Sequence, residues 1–316
     1  MKFFFIIPVF NDEKSLVKLI KEIKDKLNKD SNELNFIIVN DASDEKLNKH
    51  LNISNAHFIN LKSNQGNQKS IYVGLNYLNE LDVNYDYLIV MDSDGEDDPN
   101  NIYKLIDKCK ENNDKKIIFA SRLRRNEGLI FKFSYFCYKL IFRFLTGKKF
   151  NFGNFSCIPK QYVKNIVNLP TISFHFSASI LKSKIPYLSE PCDKGKRYDG
   201  DSKMKLNSLL LHALKSLSIY YEEILIRFLV LSTAGILIGL FSIILIFFNK
   251  FFSTFVLIGW SSNMVIGLTI ITIIFLFMFF SCLLILLNKN IYRENTENFK
   301  NYKFLIGTIE NVNHDK

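Results

Sequence analysis

Residues 89–98 read IVMDSDGEDD, so Asp92, Asp94, Glu96, Asp97 and Asp98 set five carboxylates within seven positions, directly after an apolar run. The chain as a whole carries a formal net charge of +10, so this anionic cluster is a local demand and not a compositional trend. Such repulsion is relieved when a hard divalent cation shares the carboxylate oxygens. Mg²⁺ held by one or two carboxylates and by the phosphates of a bound ligand is the usual arrangement. A solvated acidic turn that opens the helix after Pro99 is the competing account. It suits Asp97 and Asp98, because acids are favoured at helix starts. Asp92 and Asp94, the D-x-D nearest the apolar run, are the candidates for cation chemistry.

The elements that must hold this D-x-D follow from hydrophobic periodicity. KFFFIIPVF near the N-terminus, NFIIVND, HFINL, YDYLIVMD and KIIFAS are strand-like runs. Between them lie amphipathic stretches: Leu16, Ile20, Ile23 and Leu27 recur at helical spacing, and helices are expected over Ser70–Leu81 and Asn101–Cys109. Strands alternating with such helices predict an α/β sheet with crossover helices, whose ligands bind beyond the carboxyl ends of the strands. Asp12, Asp41 and Asp92 all fall at such ends.

Beyond Ser121 the character changes. Between Arg122 and Lys205 there are 17 Lys or Arg against 5 Asp or Glu, which accounts for the whole positive excess. Ile130–Leu145 is rich in aromatics and interleaved with Lys132, Lys139 and Arg143. It reads either as an interface helix with cations toward anionic headgroups or as a core helix with a solvated basic edge. Lys203–Tyr221 is a second amphipathic stretch. From Leu225 to Phe248 there is one charge, Arg227, and from Met264 to Leu287 there is none. A helix of 24 residues is roughly 36 Å long, enough to cross a hydrocarbon layer of roughly 30 Å, so two membrane spans are expected. Lys and Arg are plentiful before the first span and recur after the second, while Lys250 stands alone between them, which predicts both termini on the cytoplasmic side. The N-terminal apolar run is cut by Pro8 and by Asp12–Lys14 and reads as a strand, not a signal peptide. Five cysteines without a C-x-x-C pair argue against a disulfide framework or a zinc site and for a reducing compartment. The basic excess beside amphipathic helices points to anionic lipid, not nucleic acid, as its partner.

The segments IIPVFNDEKSL (6–16), IIVNDASDE (37–45), NQGNQKS (64–70), VMDSDGEDDP (90–99) and ASR (120–122) resemble, in order and spacing, those of family 2 glycosyltransferases. GNFSCIPK (153–160) and KRYDGDSKM (196–204), followed by two spans, are similar to the polyprenyl-phosphate sugar transferases of the dolichol-phosphate-mannose synthase-like branch. The resemblance covers nearly the whole chain. It implies a GT-A (Rossmann-like, nucleotide-sugar-binding) domain over residues 1–202, containing an interface helix at about 130–146. An amphipathic juxtamembrane helix over 203–224, two transmembrane helices at about 225–248 and 264–288, and a cytoplasmic tail over 289–316 would follow.

The resemblance also implies roles. Pro8, Asn11 and Asp12 would line the nucleoside pocket, with Asp41, Ser43, Gly66 and Lys69 in the next loops of the donor site. Asp92 would approach the ribose or the metal, and Asp94 would ligate Mg²⁺ or Mn²⁺, with Glu96 as a further oxygen ligand. Arg122, Arg197, Ser202 and Lys203 would meet phosphates, a task that suits the arginine fork. The implied activity is transfer of a sugar from a UDP- or GDP-linked donor to undecaprenyl or dolichyl phosphate, with inversion, at the cytoplasmic face of the inner membrane; it leaves room for a homo-oligomer. Four positions depart from the family pattern: Asp12 replaces the more usual Glu, Ala42 a Gly, Glu96 a Gln, and Asn154 an Asp often assigned as base. An amide takes no proton from an alcohol, whereas a lipid monophosphate is already anionic and needs no base. Asn154 therefore favours a phosphate acceptor over the two alternatives, a glycan or glycolipid hydroxyl acceptor and a non-catalytic membrane scaffold.

Overall fold

The computed structural model describes residues 1–27, 32–44, 53–122, 129–148, 152–199, 214–252, 259–287 and 302–312. Strands β1 (Lys2–Val9), β2 (Glu33–Asn40) and β3 (Ala56–Leu61) pair in parallel, and β4 (Tyr87–Val90) pairs in parallel with the other side of β1. Their near-continuous apolar sequences are those of strands covered on both faces. Phe3, Phe5, Ile6, Ile7, Phe36, Ile38 and Ile89 have no exposed surface. Helices α1 (Glu13–Leu27), α2 (Asn67–Leu81) and α3 (Asn101–Glu111) supply the covering faces. Gly74 lets α2 lie close to the sheet, since a Cβ there would stand 2.8 Å from Ile6 Cγ2 and 3.3 Å from Val39 Cγ2.

The sheet continues beyond β4 through elements that the periodicity did not assign. β5 (Ile117–Arg122) was expected. β6 (Phe152–Pro159) runs antiparallel between β4 and β5, and β7 (Tyr187–Cys192) pairs in parallel with β5 at the edge. Helix α4 (Leu129–Thr146) fills the expected interface-helix position, and α5 (Lys160–Val167) and α6 (Phe176–Lys182) follow β6. All five cysteines are free thiols, consistent with the absence of a disulfide framework.

The C-terminal residues depart from the expectation of a plain tail over 289–316. A 3₁₀ turn at Tyr302–Leu305 leads into β8 (Ile306–Val312), which pairs antiparallel with β3 and completes the sheet in the order β7-β5-β6-β4-β1-β2-β3-β8. Alternating apolar and polar residues in a short run after a long polar stretch gave too little periodicity to announce a strand. Its partner, the open edge of β3, exists only in the folded sheet. Tyr302 is buried and hydrogen-bonded to Glu80, Lys303 pairs with Glu80 at 2.9 Å, and Asn60 Nδ2 donates to Thr308 Oγ1 at 3.0 Å.

By its contacts the chain divides into two units, residues 1–142 with 148–219 and 301–316, and residues 143–147 with 220–300. The second is dominated by two helices, Tyr221–Phe252 and Trp260–Leu287, both long and apolar enough to cross a membrane. They pack on each other where side chains are small: a Cβ on Gly235 would stand 2.6 Å from the Phe275 ring, and one on Gly239 would collide with Thr272. Close backbone approach through small residues four apart is the usual solution where lipid removes the hydrophobic drive for association. Replacing Tyr302 with Ala should cost about 3 kcal/mol, a fall of roughly 6 °C or more in Tm for a domain of this size, measured by thermal unfolding of the detergent-solubilised protein. An unchanged Tm would mean that β8 is a dispensable flap.

Candidate active site

The loops after β1, β2 and β4 meet at the carboxyl edge of the sheet because the three strands are parallel and in register. The loop after β2 is built around Asp41, which is buried and receives the backbone N–H groups of Gln65 at 2.7 Å and Gly66 at 2.8 Å on its two oxygens. Burial pushes the Asp41 carboxyl above its ordinary range even though those two donors pull it down. Next to it Ala42 sits at φ 57°, a left-handed conformation that glycine adopts without cost and alanine does not. Ser43 is tied to both neighbours: its N–H donates to Asn40 Oδ1 at 3.0 Å and its Oγ accepts from the N–H of Asn11 at 2.9 Å. Asn11, also at positive φ, exchanges two further bonds with Asp44. The carbonyl of Asp12 accepts from Leu16, starting α1. Pro8 lies inside β1, buried and in register with Val39.

The D-x-D loop follows β4. Asp92 Oδ1 accepts from Asn67 Nδ2 at 2.8 Å, and its own N–H donates to the buried Asp97 carboxylate at 2.9 Å. Asp98 Oδ1 accepts from the N–H of Asn100. Asp97 therefore closes the D-x-D loop on itself and Asp98 bonds to the turn before α3, whose N-cap residue, Asn100, makes no side-chain capping bond, so the expectation of a solvated cap does not describe the buried Asp97. Asp94 and Glu96 face a basic strap, residues 193–198. Arg197 Nη2 meets Asp94 Oδ2 at 2.6 Å, and Lys194 Nζ meets Glu96 Oε2 at 3.0 Å. Backbone bonds pin the strap down, from Gly195 N to Glu96 O at 2.9 Å and from Tyr198 N to Asp94 O at 3.0 Å. Gly95 and Gly195 permit this approach: a Cβ on Gly95 would stand 2.6 Å from the Tyr198 ring, and one on Gly195 would collide with the Gly95 carbonyl. Tyr198 is held in turn by its hydroxyl bond to Glu22 at 2.6 Å and by Lys18 above its ring. Burial disfavours the Arg197 charge, but Asp94 first, then Glu96 and Asp12, raise its pKa above the ordinary guanidinium value.

Among the described residues no group of three or more His, Cys, Asp or Glu side chains converges to hold a metal ion. The expected ligands Asp92, Asp94 and Glu96 each have a different protein partner in this arrangement. The donor chemistry nevertheless fits a hard cation, since all three offer only carboxylate oxygen. Mg²⁺ or Mn²⁺ at Asp94 would take the place of the Arg197 guanidinium. The two charge clusters that the sequence separates, acids for a donor and Arg197 for an acceptor, are therefore in direct contact.

Asn154 belongs to the same edge. It stands in β6 two residues before Ser156, which pairs with Val90 at the end of β4. Its Oδ1 accepts from Gln68 Nε2 at 3.3 Å and from Ser177 Oγ at 3.0 Å. Lys69 is exposed and bonded to Gln65 Oε1 at 3.0 Å, and its charge acts on Asp41, while Gln65, Gly66, Asn67 and Gln68 of the NQGNQKS segment bond directly within the site. Arg122 ends β5, with its side chain outside the described residues, as are Ser202 and Lys203 entirely. Sequence reasoning missed Asn67, Gln68, Ser177, Lys194 and Tyr198. Asn67, Gln68 and Tyr198 lie within segments already singled out and Lys194 lies beside one, but only contact reveals their partners. Gly195→Ala should lift the strap from the acidic loop and make Lys194 and Lys196 more sensitive to trypsin in limited proteolysis; an unchanged digestion pattern would mean that the strap is not held by this contact.

Comparison with known proteins agrees with this arrangement. The model of the family described as glycosyl transferase family 2 matches residues 4–165. An uncharacterized glycosyltransferase of Bacillus subtilis, YkcC, is 22% identical over 274 residues, covering 83% of this chain and 81% of its own length. The undecaprenyl-phosphate 4-deoxy-4-formamido-L-arabinose transferase of Proteus mirabilis is 24% identical over 261 residues, 76% of this chain and 75% of that protein. Among solved structures, glucosyl-3-phosphoglycerate synthase from Mycobacterium tuberculosis with phosphoglyceric acid superposes with a TM-score of 0.51 at 10% identity, over 70% of this chain and 79% of that one. The same enzyme with Mn²⁺, UDP-glucose and phosphoglyceric acid gives 0.50 at 10% identity, over 71% and 79%. That likeness is one of fold, the GT-A arrangement. With its parallel strands ending in a D-x-D loop and its match to the family model, the chain belongs to glycosyltransferase family 2.

Proposed function

We propose that the protein is a membrane-bound, divalent-metal-dependent inverting glycosyltransferase that moves a sugar from a UDP- or GDP-linked donor to polyprenyl phosphate at the cytoplasmic face of the membrane. The observation that carries this reading is the Asp94–Arg197 pair at 2.6 Å, which brings a metal-ligating and a phosphate-binding side chain to one strand edge. When bound at Asp94 and Asp92, Mg²⁺ or Mn²⁺ would neutralise the diphosphate of the donor and of the leaving nucleotide. Arg197, which pairs with Asp94 in this structure, is the side chain whose fork would receive the phosphate of the acceptor. An anionic oxygen of the lipid phosphate attacks the anomeric carbon from the face opposite the diphosphate. The new carbon–oxygen bond forms as the old one breaks, its electron pair leaves with the nucleoside diphosphate, and the configuration inverts. No proton has to move, which agrees with an amide at position 154.

Asn11, Asp12, Asp41 and Ser43 form the nucleotide side of this reading, held by the hydrogen bonds that fix the first two loops. The printed name of the Proteus relative supports a polyprenyl-phosphate acceptor. Leu140, Ile141 and Phe144 of α4 are exposed beside Lys139 and Arg143, the composition of a helix that lies on anionic lipid. Topology is supported by β8. The chain leaves the catalytic sheet before the two apolar helices and rejoins the same sheet at β3, so an even number of crossings is required.

Purified protein incubated with short-chain polyprenyl phosphate, a panel of nucleotide sugars and Mg²⁺ or Mn²⁺ should release nucleoside diphosphate, and EDTA should stop it. Asp94→Asn should abolish transfer and leave the thermal unfolding profile intact, and near-normal turnover would sink the metal assignment. Ready glycosylation of a hydroxyl-bearing glycan, with polyprenyl phosphate ignored across all donors, would replace the acceptor. For topology, an impermeant thiol label applied outside should reach a cysteine at Ser262 and not one at Glu310. Labelling in the opposite sense would remove the cytoplasmic assignment.

A further inference from the structure

The amide at position 154 has a fixed orientation, and the cause lies outside the strand that carries it. The N–H of Phe176, a backbone donor at the start of α6, donates to Gln68 Oε1 at 2.6 Å. A backbone N–H is never an acceptor, so the side-chain oxygen of Gln68 must face Phe176 and its NH₂ must face away. That NH₂ lies 3.3 Å from the Asn154 side chain, so the Asn154 atom turned toward it must be an acceptor, Oδ1. Ser177, with no exposed surface, stands 3.0 Å from the same Oδ1 and 2.7 Å from the Gly153 carbonyl, and its single hydroxyl proton serves one of these acceptors at a time, so the sense of the Asn154 amide is set by Gln68. Asn154 Nδ2 has no hydrogen-bond partner among the described residues, yet it is not one of the buried polar atoms left unsatisfied. It therefore keeps solvent-accessible surface.

We infer that Gln68 is a positioning residue that locks the Asn154 amide with its two Nδ2 protons outward, so that position 154 recognises an anionic acceptor oxygen, that of a phosphate, and takes no proton from an alcohol. The inference rests on the proposed transferase reading and adds the chemical class of acceptor that this wall of the site selects. A carboxylate at 154 held by the same Gln68 donor would turn an oxygen outward, a base for a hydroxyl and a repulsive neighbour for a phosphate. The Gln68–Phe176 bond thus carries the choice: a glutamine there can pass a donor on to position 154, and a glutamate cannot.

Gln68→Glu keeps an acceptor for Phe176 but removes the donor to Asn154, whose amide must then rotate to bond inward through Nδ2 and show Oδ1 outward. The test is steady-state kinetics of the full chain in detergent with short-chain polyprenyl phosphate, alongside the corresponding polyprenyl alcohol. Gln68→Glu and Asn154→Asp should each raise KM for the phosphate at least about tenfold, the expected scale for exchanging a charge-assisted hydrogen bond for a repulsive oxygen, while KM for the nucleotide sugar stays within about twofold. Asn154→Ala removes the donor without adding charge and should fall between these variants and the parent. Ser177→Ala leaves the Gln68 lock in place and should change KM for the phosphate less than about threefold. Equal damage from Ser177→Ala, or no split between the two substrates in Gln68→Glu, would reduce the network to packing and overturn the inference. Parent enzyme that turns over the alcohol and not the phosphate would overturn both the inference and the acceptor reading, whereas parent that uses the phosphate with an unaffected Gln68→Glu would overturn the inference alone.

Discussion

Gln65 and Gly66 give their backbone N–H groups to the two oxygens of the buried Asp41, and the rest of the site is arranged from that clamp. It fixes where α2 begins, and a helix start sets the direction of every side chain in its first turn. Asn67 then reaches Asp92, and Gln68 reaches both Asn154 and Phe176. Three strand ends, β2, β4 and β6, are thereby tied to one helical turn by bonds made in a setting where an unmade bond is expensive. Gly66 stands at φ 86°, which lets the chain turn sharply from the Asp41 clamp into the helix.

A second constraint is electrostatic. Asp92 to Asp98 would repel one another if left to solvent alone, and the strap at residues 193–198 supplies Arg197 and Lys194 as counter-charges. These pairs are partly exposed, so their net contribution to stability is modest. Their consequence is for function. In the proposed reaction a divalent ion would share these carboxylates, and Arg197 would turn to a second anionic substrate. In the proposed reaction the same residue thus serves both the resting and the loaded site.

Much of this was legible in residue order: the first strands of the sheet, the D-x-D and the two apolar helices. The reason is local. Strand runs, helical periodicity and 24-residue apolar segments declare themselves within a window of a few turns, and a D-x-D after an apolar run is contiguous. What was not legible depends on pairing across long stretches of chain. β6 and β7 join the sheet through partners far away in sequence, and β8 finds the edge of β3 after some 250 residues, as the His57–Asn311 contact illustrates.

For the site the division is the same. Sequence by itself determined which residue types are available to the site: carboxylates at 92 and 94, an amide at 154, a guanidinium at 197. Only the tertiary structure decided what each one faces. Asp94 faces Arg197 across 103 positions, Gln68 faces Phe176 across 108, and Asn154 is turned by a donor 86 positions earlier in the chain. A hydrogen bond is sensitive to tenths of an ångström and to the sense of the donor, and residue types alone specify neither. Composition therefore names the chemistry available, and the folded sheet chooses which atom of each group is offered to a substrate.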